Sequence, residues 1–74
     1  MSQKFNGERL YGIEYLWRGD WRPAASELPS LERARALVEH LADYYRGETY
    51  QVISYRRGSG GAMVDCRVEM RVRR

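Results

Sequence analysis

One cysteine, one histidine, two prolines and no long apolar run set the first limits on this 74-residue chain. A lone cysteine excludes an intramolecular disulfide framework. One histidine with one cysteine is too little for a hydrolytic triad or a structural metal site, since both need several such side chains converging from different elements. No segment approaches the roughly 20 apolar residues of a membrane-crossing helix. The opening MSQKFNGERL has no apolar leader core, so the expected location is the cytoplasm.

Lysine is scarce as well: twelve of the thirteen basic residues are arginine. Either the planar guanidinium is needed for phosphate, carboxylate or aromatic contacts, or the source has GC-rich codons. Net charge is +3, which permits anionic partners without the dense basic runs of a dedicated nucleic-acid clamp. Hydrophobic residues make up 43% and charged residues of both signs 31%, a balance that favours folding over disorder. Length implies one domain over residues 1–74, with a flexible N-terminus at 1–7. Such a chain buries only about 60% of its unfolded surface, so its core is small.

ERLYGIEYLWR, from Glu8 to Arg18, is rich in aromatic and branched residues and reads as a strand apolar on both faces. Gly19-Asp20 is suited to a two-residue turn of type II′, which sets Trp21 and Arg22 back beside Arg18 and Trp17. Pro23 lacks a backbone donor and is expected to stop that return after two residues. Ser30 is a good N-cap, and apolar residues recur at spacings of three and four from Leu31, so a helix is predicted over Leu31–Arg46 with Gly47 closing it. Strands are predicted at Thr49–Arg57 and Ala62–Arg73, joined by the Gly58–Gly61 loop. In the last strand Ala62, Val64, Cys66, Val68, Met70 and Val72 form the expected core face. The register of Thr49–Arg57 is ambiguous, since Ile53 with Tyr55 or Tyr50 with Val52 can point inward; Ile53 with Tyr55 are the preferred pair, beside Cys66 and Val64. The expected fold class is α+β: a two-layer sandwich with one helix on a three-stranded, mainly antiparallel sheet in β-α-β-β order. The sheet face away from the helix is left uncovered.

Catalytic signals are weak. His40 falls on a polar helix flank and Cys66 on the predicted core face. Glu39 and Asp43 have the spacing of a solvated helix pair, and GSGGA lacks the Lys-Ser/Thr of a phosphate loop. The expectation is therefore no enzyme, no cofactor and no metal. Arg18-Gly19-Asp20 matches an adhesion tripeptide, but without a leader it reads as turn chemistry. Binding has more support: Trp17, Arg18, Trp21 and Arg22 form a corner, and Arg56, Arg57, Arg67, Arg71 and Arg73 line the last two strands. Arginine interleaved with aromatics suits stacking on unpaired bases, and the same types are enriched at protein interface hot spots. Asp65 and Glu69, alternating with the arginines, repel phosphate and favour a protein surface.

GIEYLWRGDWRP, SLERARALVEHLADYY and ETYQVISYRR, in that order on a short stand-alone chain, resemble small proteins encoded by bacterial viruses and mobile elements, anti-CRISPR inhibitors among them. The resemblance lies in architecture, so no functional residue transfers by position. It implies a non-enzymatic protein, cytoplasmic in a bacterial host, that binds and inhibits a protein or nucleoprotein complex such as a CRISPR effector. Many proteins of that group mimic DNA with acidic surfaces, and the basic charge here departs from that pattern. Docking on an acidic protein patch or direct contact with nucleic acid are the variants that remain. The alternatives are a small basic nucleic-acid-binding module and a self-associating assembly protein, including a homodimer.

Overall fold

A computed structural model describes residues 9–74; the flexible N-terminus expected over 1–7 lies outside them. The elements are β1 (Leu10–Trp17), β2 (Asp20–Leu28), α1 (Leu31–Tyr44), β3 (Thr49–Arg57) and β4 (Met63–Arg73), with a short 3-10 turn at Ser59–Gly61. The strands form one sheet in the order β2-β1-β3-β4, every neighbouring pair antiparallel. The architecture is α+β, one helix on a four-stranded antiparallel sheet. The expected two-residue return at Trp21 and Arg22 is a whole strand, so the order is β-β-α-β-β rather than β-α-β-β.

Pro23 does not end the return, because β2 is a sheet edge, where a residue without a donor is tolerated. The turn also sits one residue earlier than expected. Arg18 (φ 51°) and Gly19 (φ 86°) occupy its centre, the doubly positive pattern of a type I′ turn, which suits the twist of paired strands. Asp20 therefore pairs with Trp17, Trp21 with Leu16, and Arg22 with Tyr15. Moving a two-residue turn by one position moves the pairing by two residues and keeps the faces, so Trp21 lies across from a sequence neighbour of Trp17 in either register. The two tryptophans consequently lie on opposite sides of the sheet, not side by side.

α1 begins as predicted: Ser30 is extended (φ −150°), and its Oγ accepts a hydrogen bond from the Arg33 amide at 3.1 Å. Ala34, Val38 and Ala42, four residues apart, are its buried positions, and their small size lets the helix lie close to the sheet. They pack with Ile13, Tyr50, Val52 and Val72 as the core. The helix ends at Tyr44, two residues before the predicted end, and the Gly47 amide bonds to the Arg74 carbonyl at 2.9 Å.

β3 is buried from Tyr50 to Tyr55. Tyr50 and Val52 face the helix, while Ile53 opposes Val68 and, with Tyr55, faces away. The preferred inward pair was thus the wrong one. What buries Ile53 and Tyr55 is β2, whose bulges bend its second half over the far face. There the Tyr55 hydroxyl accepts a hydrogen bond from the Glu27 amide at 2.9 Å, at a backbone position with φ 57°. Gly12 permits the approach, because a Cβ there would stand 3.1 Å from the Ala25 carbonyl oxygen.

β4 departs most from its predicted alternation. Register shifts fall between Val52/Ile53 and Ser54/Arg56, and Asp65 has φ 55°. Each bulge resets which side chains point to the helix. Val72 is buried, Met70 is half-buried, and Val64, Cys66 and Val68 are exposed. Cys66 is therefore not a core residue. A 14-residue helix spans about 21 Å, whereas the molecule is 44 Å long, so the far end of the β3–β4 hairpin extends beyond helical cover. Among the described residues, no helix is long and apolar enough to cross a membrane.

Candidate interaction surface

On the face away from α1, the sheet is closed by β2 at the Tyr55 end and open at the other. The open part is built in register. Glu14 on β1 pairs with Gln51 on β3, which pairs with Arg71 on β4, while Leu16 on β1 pairs with Trp21 on β2. Residues paired across antiparallel strands share a face, so these side chains meet above the sheet.

They are joined. Arg71 Nε donates to Gln51 Oε1 at 3.0 Å, and Gln51 Nε2 donates to Glu14 Oε1 at 2.7 Å. Gln51, only 4% exposed, thus connects a cation to a carboxylate, and its acceptor and donor sides are both used. The Arg71 guanidinium carbon lies 5.5 Å from the centre of the Trp21 ring, within reach of a cation–π attraction worth about 0.5–1 kcal/mol at an exposed site. An aromatic ring and a charged fork are thereby held in one orientation before any partner arrives.

The other arginines singled out in the sequence are scattered. Arg73 shares the open face with Arg71, two residues away on β4. Arg67 does not: the intervening bulge sets it opposite Ser54 on the helix side. There Arg67, Arg56 and Arg9 surround the Asp65 carboxylate at 3.5, 3.9 and 3.0 Å. Arg9 Nε also donates to Ser54 Oγ at 3.1 Å, and that hydroxyl donates to Glu69 at 2.6 Å. Arg57 pairs with Glu27, donates to the Gly61 carbonyl at 2.7 Å, and lies 5.5 Å from the Tyr55 ring. It thus secures the loop and the bent half of β2.

Arg18 rests 5.3 Å from the centre of the Trp17 ring in the type I′ turn. Trp17 lies on the helix side beside a cleft, and Arg22 is exposed at the β2 edge opposite Tyr15. Of the nine residues the sequence offered, Trp21 and Arg71 form the one contact between distant elements on the open face. Glu14, Gln51 and Arg9 were missed, while the sequence marks Asp65 only as a carboxylate alternating with the arginines. For the first two a signal existed: single polar residues in otherwise apolar strands, meeting only when the strands are aligned.

Among the described residues, no group of three His, Cys, Asp or Glu side chains is placed to hold a metal ion. No protein-family model, curated protein or solved structure gives a significant match to this chain.

Proposed function

We propose that the protein is a non-enzymatic interaction module. Its open sheet face docks on a bacterial protein or nucleoprotein complex and inhibits it, a CRISPR effector being the assembly to which the resemblance points. The observation that carries this reading is the Trp21–Arg71 contact, held by Gln51 and Glu14 on an otherwise open face. Pre-ordered tryptophan and arginine are the side chains that contribute most at protein interfaces, because their area is large and little entropy is left to lose.

Protein is favoured over nucleic acid because carboxylates are set among the arginines and no continuous basic track forms among the described residues. Asp65 faces three of them and Glu27 faces Arg57. Carboxylates placed among the arginines weaken the attraction for phosphate without abolishing it. The test is complex formation with purified CRISPR effector complexes and with bacterial lysate, comparing the native protein with the Trp21→Ala/Arg71→Ala variant. A stoichiometric, inhibited complex lost in a variant of unchanged circular dichroism supports the reading. Equal binding by the variant overturns the surface. Strongly salt-dependent binding to labelled oligonucleotides instead assigns the protein to the nucleic-acid-binding class.

A second reading rests on a different observation. β4 is an 11-residue edge with Met63, Val64 and Val68 exposed, and unpaired edges pair with further strands. Self-association through β4 gives a sedimentation coefficient that rises with concentration and falls back in Val68→Lys.

A further inference from the structure

On the helix side of the sheet, opposite the Trp21–Arg71 contact, lies a cleft of about 410 Å³. It occupies the corner between the end of β1, the start of β3 and the C-terminal end of α1. Four rings, those of Tyr15, Trp17, Tyr45 and Tyr50, form most of its walls. Among the described residues, Glu48 is the one charged residue in the lining, with no lysine or arginine beside it.

Two features give this cleft a negative potential. The faces of the rings carry the negative part of the aromatic quadrupole. Glu48 is half-buried and makes no ion pair among the described residues. The chain also supplies a precedent, since the Arg18 guanidinium already lies over the Trp17 ring. Burial, and next the Glu48 charge, push the Tyr50 phenol above its ordinary range.

The chemistry of the lining selects among cations. A primary ammonium brings three N–H donors and a guanidinium five, each needing an acceptor. The walls offer mostly ring carbon. A quaternary ammonium has no donor to satisfy and needs only π faces and a counter-charge. Its size also suits a cleft within the range of small-molecule sites.

We propose that this cleft binds a quaternary ammonium group, the trimethylammonium head of a small soluble molecule. The site is independent of docking through the open face, because it uses the other side of the sheet.

The probes are choline and tetramethylammonium, with 3,3-dimethylbutan-1-ol as the uncharged isostere. Binding is followed by fluorescence in a Trp21→Phe background, where Trp17 alone reports, and by amide NMR shifts at Tyr45 and Gly47. Both cations saturate, and the isostere binds at least about tenfold more weakly, as expected for a desolvated cation–π site. Glu48→Gln and Tyr45→Ala each weaken choline roughly tenfold while the unfolding midpoint is retained. No saturation by about 10 mM, an isostere that binds as well as choline, or affinity unchanged in both variants overturns the proposal. A response to phosphatidylcholine vesicles without one to free choline also overturns it, by making a lipid surface the ligand.

Discussion

Arg71 and Trp21 belong to strands at opposite edges of a four-stranded sheet, yet the guanidinium carbon of one lies 5.5 Å from the ring centre of the other. Neighbouring strands are about 4.8 Å apart, so neither side chain spans the two middle strands alone. They meet because both lean inward over the open face, and Gln51 holds Arg71 from beneath. The coupling between Arg71→Ala and Trp21→Ala, measured by a double-mutant cycle in urea, is expected to be about 0.5–1 kcal/mol. Gln51→Leu is expected to cost about 1–3 kcal/mol, because it strips a half-buried Glu14 of its donor. Additive single variants would show that the ring and the guanidinium do not interact.

The bent half of β2 depends on two small details on the far face. Gly12→Ala places a Cβ 3.1 Å from the Ala25 carbonyl, and moving β2 aside is expected to cost about 1–3 kcal/mol. Tyr55→Phe removes the acceptor of the Glu27 amide, with an expected loss of about 1–2 kcal/mol. Tyr44→Phe, on a residue 72% exposed, is the neutral control. Urea midpoints of the three variants check all of this.

Tyr50 makes stability depend on alkaline pH. Its phenol is pushed above the ordinary value near 10, first by burial and then by the Glu48, Tyr45 and Tyr15 charges. The folded state therefore holds the proton more tightly than the unfolded chain. This contribution is complete below the unfolded value and is lost as pH rises through the folded one. Stability should fall above about pH 10, and less steeply in Tyr50→Phe. Unfolding free energies of both proteins across pH 8 to 11 give the comparison.

Cys66 is exposed on β4. A thiol reagent such as dithiobis-nitrobenzoate is expected to label it in the native protein as fast as in urea, to within about tenfold, whereas a core cysteine would wait for unfolding. Slow native labelling would restore Cys66 to the core and contradict the bulged course of β4.

Local signals carried much of the fold. Ser30 caps the helix and β3 spans Thr49–Arg57, as read from the sequence, because capping and strand propensity act within a few residues. The order of the predicted elements pointed to an α+β domain with one uncovered sheet face, and part of that face remained open. Its central contact was harder to read. Trp21 and Arg71 were both visible as candidates, but their partners Glu14 and Gln51 become a set only when three strands are aligned.

Three features were decided by tertiary structure alone. The first is the turn: Arg18-Gly19 and Gly19-Asp20 are both acceptable locally, and pairing along the whole of β2 selects the former, so Trp21 opposes Leu16 rather than Arg18. The second is Pro23, whose tolerance depends on β2 being an edge. The third is the face of each β4 side chain, since bulges between β3 and β4 interrupt an alternation that the sequence displays without a break. Residue type and spacing determine which elements form. Register, edge position and bulges depend on contacts between segments far apart in the chain, and a strand that moves by one residue presents its other face.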